Sequence, residues 1–249
     1  FFCGLPQGTK LGPLSFLIVF NRILSTIRER FKFADDLTVL SLRLSPPTTE
    51  QSDLIKIYHD LKAELGKVKL AVSETKSSYM TFSFLKGNNH SSHNSLLPTK
   101  KTVKILGILL DDDLRWNSHV DYLTKKGASL LHSFSNLKRF GTPTEVLKSV
   151  YCSYVRPFLE YACPAWHPGL TKDQTDRLET IQKRAVKIIL GQNYSTCEDA
   201  LKQLNLDSLD SRRHGLTYRF GLNCLNSPTH CHLLPNLESL PTEGPVTRL

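Results

Sequence analysis

The chain has 249 residues, enough for one large or two modest domains, and an apolar share of 40% that can build a core. Lys and Arg number 32 against 23 Asp and Glu, and the resulting +9 charge suits a polyanionic partner because Lys and Arg displace counterions from phosphates. No apolar run approaches the roughly 20 residues of a membrane span and no secretory leader pattern opens the chain, so no membrane partner is expected. The six cysteines lack CxxC spacing, which argues against a zinc ribbon or a disulfide framework and fits reduced thiols in an intracellular protein, cytoplasmic or nuclear. The chain begins with Phe1 and its single methionine is Met80, so it is expected to be a piece of a longer reading frame.

Residues 4–14, Gly-Leu-Pro-Gln-Gly-Thr-Lys-Leu-Gly-Pro-Leu, form a loop punctuated by three glycines and two prolines that opens into an apolar helical run over 14–24. Then come Lys32, Phe33, Ala34, Asp35, Asp36 and Leu37. Apolar runs flank the two acids, the pattern of a β-hairpin with a tight acidic turn. Such a pair reads either as a solvated turn, since Asp bonds its own backbone there, or as a divalent-cation site, since Mg²⁺ takes one or two carboxylates plus substrate phosphates. Residues 45–49 are a turn cluster. Leu54, Ile57, Tyr58, Leu61 and Leu65 make a helical stripe, with Ser52 or Asp53 to start it and Gly66 to end it.

Alternation around Met80, Phe82 and Phe84 predicts a half-buried strand within 67–84, preceded by Val72-Ser73-Glu74-Thr75-Lys76. Residues 86–101 read as a polar surface loop in which His90 and His93 are ordinary. Residues 103–110 read as one strong strand. The acids Asp111, Asp112 and Asp113 that follow are assigned to a turn and a helix N-terminus rather than to a metal. From Ser118, a plausible cap, apolar residues recur at helical steps through Leu137. Thr142, Pro143 and Glu145 suggest a break and a capped restart, with a helix running to Arg156-Pro157. A kinked segment over 161–168 leads to a helix over 173–190 whose buried stripe is Leu178, Ile181, Ala185 and Ile188, opposite Lys172, Arg177, Lys183, Arg184 and Lys187. Residues 200–209 and 212–225 suggest short helices. The spacing of Cys224, His230, Cys231 and His232 fits no standard zinc finger. Residues 235–249 read as disordered.

The ordered series of Gly4-Leu5-Pro6-Gln7-Gly8, a helix and Phe33-Ala34-Asp35-Asp36 resembles the reverse transcriptases of non-LTR (LINE-type) retrotransposons. The resemblance continues through Lys76, through Leu106-Gly107 before Trp116, and through Tyr151, Val155, Pro157, Tyr161, Trp166, Ile181, Gln182 and Ala185. It implies an α+β fold: a partial polymerase palm, an antiparallel sheet with helices, over residues 1–116, a helical thumb-like bundle over 117–191, and a helical or irregular tail over 192–249. The fingers and the first catalytic strand of the family would lie before this sequence.

What the resemblance implies functionally is RNA-directed DNA polymerisation, with an RNA template, a DNA primer and dNTPs as partners. Asp35 and Asp36 would be catalytic and would bind Mg²⁺, two ions in an intact enzyme. Lys76 would stand near the incoming nucleotide, where an ammonium can stabilise the pyrophosphate leaving group. Pro6, Gln7 and Gly8 would contact nucleotide or template, Leu106 and Gly107 would grip the primer end, and Lys125, Lys126, Lys183, Arg184 and Lys187 would hold the nucleic-acid backbone by its phosphates. Two departures stand out. Arg22 follows Asn21 where the family shows Asn-Asp, and Ser73 replaces an asparagine. The alternative is therefore a decayed or repurposed, non-catalytic nucleic-acid-binding protein. With one carboxylate strand missing, this chain alone is expected not to polymerise.

Overall fold

The computed structural model describes residues 11–27, 29–41, 50–82 and 97–231. They divide into two compact units, one ending at Lys101 and the other beginning at Thr102. The first carries helix α1, Leu11–Arg22, strands β1, Arg30–Phe33, and β2, Asp36–Val39, and helix α2, Glu50–Lys67. The helix expected over 14–24 starts earlier because Pro13 sits in its first turn, where no N–H is needed. Strands β1 and β2 pair antiparallel with Phe33 opposite Asp36 and Lys32 opposite Leu37. Phe20, Ile23, Leu24 and Leu65 form the core, with Leu37, Val39, Ile57 and Leu61 packed on it.

Three details of this unit differ from the sequence reading. Helix α2 begins at Glu50, so neither Ser52 nor Asp53 stands at its N-terminus, and it runs through Gly66. Its stop is Lys69, left-handed at φ 59, with Lys69 N–H donating to the Gly66 carbonyl and Leu70 N–H to the Leu65 carbonyl, the paired bonds of a Schellman ending. The strand expected within 67–84 is reduced, among the described residues, to a single bridge between Tyr79 and Thr99. Residues 45–49, His90, His93, Phe84, His232 and 235–249 lie outside the described residues.

The second unit opens with strands β3, Thr102–Ile105, and β4, Ile108–Asp111, paired antiparallel. What reads as one strand over 103–110 is thus a hairpin. Leu106 at φ 46 and Gly107 at φ 90 turn the chain in two residues, the left-handed pair that matches strand twist. Helix α3, Asn117–Arg139, then carries a buried face of Val120, Leu123, Gly127, Leu131 and Phe134. Ser118 lies inside this helix rather than capping it. Trp116 holds the N-cap position in a left-handed conformation, and the carboxylate of Asp111 receives the Ser118 N–H instead.

Helix α4, Thr144–Val150, has Pro143 at its N-cap and no side-chain cap, so Thr142 and Glu145 form no capping box. It passes through a π-helical turn at Tyr151–Val155 into α5, Arg156–Glu160. The helical path therefore outlasts Pro157, because the widened turn before it accommodates a residue that lacks an N–H and whose ring crowds the preceding turn. Two 3₁₀ turns, Cys163–Ala165 and His167–Gly169, lead to α6, Lys172–Leu190. Its start is a full capping box: Gln174 N–H donates to Thr171 Oγ1, and Thr171 N–H donates to Gln174 Oε1. Leu178, Ile181 and Ala185 are buried as expected, and Ile189 rather than Ile188 completes the buried stripe. The tail adds α7, Cys197–Gln203, shorter than the helix expected over 200–209, and α8, Leu209–Leu225.

Helices α3 and α6 run side by side in the same direction: Asp121 pairs with Arg177, Gly127 faces Ile181, and Lys138 Nζ donates to the Ile189 carbonyl. Gly127 permits that approach, since a Cβ there would stand 3.2 Å from Ile181 Cγ2. Trp166, fully buried, is the centre of the unit. It donates its Nε1–H to the Tyr161 carbonyl at 3.0 Å and meets the edge of His119 and the guanidinium of Arg213.

Candidate functional site

In the first unit the acidic turn is built by local rules. Ala34 is left-handed at φ 51, which closes the β1–β2 turn in two residues and leaves Asp35 exposed in the turn and Asp36 exposed at the start of β2. The inner face of the hairpin presents Arg30 and Lys32 to the end of α1. Lys32 Nζ donates to the Phe20 and Ile23 carbonyls at 2.5 and 2.7 Å, and Arg30 also donates to Ile23. These cations satisfy carbonyls that a helix C-terminus leaves open and complement its negative end. Burial, with Arg30 close by, pulls the Lys32 ammonium below its ordinary pKa against the raising effect of Glu64. The outer face carries Phe31 and Phe33, both exposed. The hairpin is thus fixed to α1 from one side, and its acids point away from the core.

Lys76 lies in the same unit, in a turn and not at a strand start. That turn is held to α2 through Glu74, which pairs with Lys62 at 2.5 Å and accepts from Tyr58. The hydrogen bond from Lys62 holds the Glu74 carboxyl below its usual pKa, and the same bond raises Lys62. Lys76 itself is exposed, its N–H bonded to the Ser73 carbonyl at 3.2 Å. Pro6, Gln7 and Gly8 lie outside the described residues. Arg22 ends α1, exposed.

The other candidates belong to the second unit. Leu106 and Gly107 form the β3–β4 turn. Lys125 and Lys126 on α3, and Lys183, Arg184 and Lys187 on α6, are all exposed on two adjacent helices. Arg177 is different: it pairs with Asp121 and so belongs to the α3–α6 contact. Sequence reading missed what Tyr161 does. Its hydroxyl donates to the Leu106 carbonyl at 3.0 Å, although the two residues lie far apart in sequence. It also missed Arg213, which a basic run would place at the surface and which is instead fully buried against Trp166 and Glu179.

Among the described residues, no group of three or more His, Cys, Asp or Glu side chains gathers in one place, and no helix is long and apolar enough to cross a membrane. The donor set on the hairpin is two adjacent, exposed carboxylates. That set fits a share of one Mg²⁺ shell completed by water and phosphate, and it does not by itself fit a two-ion centre.

No curated protein and no solved structure matches this chain. Residues 1–110, a stretch that includes both the Asp35–Asp36 turn and the Leu106–Gly107 turn, match the family model of reverse transcriptase (RNA-dependent DNA polymerase).

Proposed function

We propose that the chain is part of an RNA-directed DNA polymerase from a non-LTR, LINE-type mobile element, with palm in the first 116 residues and a thumb over 117–191. The observation that carries this reading is the reverse-transcriptase match over 1–110 together with two exposed carboxylates inside it, Asp35 in a two-residue hairpin turn and Asp36 at the start of the next strand. Asp35 and Asp36 are the residues to hold Mg²⁺. When bound, the ion neutralises charge on the transferring phosphate and favours the ionised primer 3′-hydroxyl. Lys76 offers its ammonium to the departing pyrophosphate. Pro6, Gln7 and Gly8 are assigned to binding nucleotide or template, and Leu106 and Gly107 to the primer end. The exposed cations of α3 and α6 hold the template–primer duplex by its phosphates, without reading sequence. RNA template, DNA primer and dNTPs are then the partners, and the protein works in the cytoplasm or nucleus.

Polymerisation on this reading needs a further carboxylate beside Asp35 and Asp36, from another strand of an intact palm. The test is to sequence the transcript upstream of Phe1, express the longer frame and assay primer extension on an RNA template. Extension that requires Mg²⁺ and is abolished by Asp35→Asn is expected. Extension that survives Asp35→Asn, or a frame that closes immediately before Phe1, overturns the reading. The second outcome favours a non-catalytic nucleic-acid-binding protein, a reading supported by Arg22 and Ser73, which replace the acid and the amide of the family pattern.

A further inference from the structure

We infer that Tyr161 is a positioning residue for the Leu106–Gly107 turn, seating it so that Leu106 is presented to the primer end; the inference rests on the reading of that turn given above. The turn is unusual on its own chemistry. A two-residue turn with both residues at positive φ favours Asn or Asp followed by Gly. Here the first position is Leu106 at φ 46, a branched apolar side chain in a left-handed conformation that is strained for residues with a Cβ. That side chain gains little from burial in return, since it is 45% exposed. A residue that is strained and also left in solvent points to a contact made with something outside the fold.

Tyr161 is what holds this strained turn in place. Its hydroxyl donates to the Leu106 carbonyl at 3.0 Å, and its ring lies against Gly107, where a Cβ would stand 3.2 Å from Tyr161 Cε1. Tyr161 is anchored in turn by Trp166, fully buried, whose Nε1–H donates to the Tyr161 carbonyl at 3.0 Å. The left-handed Ala162 at φ 50 turns the chain between the two aromatics. Tyr161 is itself 55% exposed, so it supports the turn from the side without enclosing it. The series Trp166, Tyr161, Leu106 thus connects the core of the helical unit to an exposed hairpin tip.

The test uses the full chain and two fluorescent probes: a DNA primer on an RNA template with a recessed 3′ end, and a blunt heteroduplex of equal length. Wild type is expected to prefer the recessed end. Tyr161→Phe keeps the ring and removes the hydroxyl, and should cut that preference about fivefold, the factor that corresponds to one net hydrogen bond of ~1 kcal/mol. Blunt-duplex affinity should hold, and the melting temperature should fall by no more than the few degrees that one lost hydrogen bond explains. A role confined to stability would instead lower the melting temperature and both affinities together, and that result overturns the inference. Gly107→Ala is the second variant: its Cβ pushes against the Tyr161 ring at a backbone of φ 90 that disfavours a side chain, so it should lower the melting temperature and the recessed-end preference together. If wild type prefers the recessed end and both variants keep that preference, Tyr161 does not position the turn. If wild type shows no preference, the primer-end reading of Leu106 and Gly107 itself fails.

Discussion

The carboxylate of Asp111 accepts the backbone N–H of Ser118 at 2.9 Å through Oδ2 and the hydroxyl of Thr102 at 2.9 Å through Oδ1. One side chain therefore joins both strands of the β3–β4 hairpin to the first turn of α3. Burial pushes this carboxyl up, but the bonds from Ser118 and Thr102 outweigh it and hold the group below its ordinary pKa. Asp111→Ala removes a charge at a helix N-terminus and leaves two donors without their acceptor. A cost of about 2 kcal/mol follows, or roughly 4–8 °C in melting temperature for a domain of this size. Calorimetry on the full chain checks it, and an unchanged melting temperature would rule out the junction.

His119 makes the same region sensitive to acid. It is fully buried between Trp116, Tyr122 and Trp166, with Leu109 N–H donating to its Nδ1 at 3.3 Å, so the neutral ring carries its proton on Nε2. Burial lowers its pKa from 6.5 to about 4, with Asp111 pulling the other way. Between those values the unfolded chain takes up a proton that the folded chain refuses. The contribution is therefore complete above pH 6.5 and is lost as pH falls toward 4, to the extent of about 3 kcal/mol. Denaturant titrations at several pH values should show this slope, and His119→Gln should flatten part of it. His167, also lowered by burial and by Arg213, adds to this slope, whereas the Asp111 carboxyl, held below its ordinary pKa, loses its contribution only in more acidic solution.

How much of this was legible in the sequence depended on how local the cause was. The acidic hairpin was legible because alternation and turn chemistry act over a few residues; Asp35 stands in the turn as that pattern has it, while Asp36 opens the second strand instead. The β3–β4 hairpin was hidden because its turn uses Leu106 in place of a turn-forming residue, leaving Gly107 as the sole sign of a break. Ser118 looked like a cap because Ser commonly is one, while the true acceptor, Asp111, approaches from the neighbouring strand. The Thr171–Gln174 box was written in the sequence as Thr-x-x-Gln and was overlooked. Arg213 had no local sign at all. Beside Arg212 it looks like surface charge, and only the three-dimensional packing of α8 places it against Trp166 and Glu179.

The neighbouring Arg212 shows what a geometrically matched pair contributes. Its Nε and Nη2 donate to the two oxygens of Glu160 at 2.5 and 3.0 Å, linking α8 to α5, and the Glu160 side chain is only 9% exposed. Arg212→Lys keeps the charge and loses the two-pronged geometry, at a cost of about 1 kcal/mol. Arg212→Ala leaves a nearly buried carboxylate without its partner and should cost about 3 kcal/mol. Chemical denaturation of both variants checks the ranking. Equal losses for Lys and Ala would mean that the geometry contributes nothing beyond the side chain's bulk.

The exposed cations of α3 and α6 separate phosphate binding from mere basicity. Each phosphate contact releases counterions, so the logarithm of affinity falls with the logarithm of salt by about 0.9 per contact on B-form duplex. Replacing Lys183, Arg184 and Lys187 by Gln should reduce that slope by roughly 2 to 3 and weaken binding to all sequences alike, with Lys125→Gln and Lys126→Gln adding to the effect. Arg177→Gln is the control, because Arg177 pairs with Asp121 inside the α3–α6 contact. It should lower stability and leave the slope where it was. Anisotropy titrations over a range of salt measure both quantities. A slope that drops as much for Arg177→Gln as for Lys183→Gln would mean that net charge, and not this face, attracts the nucleic acid.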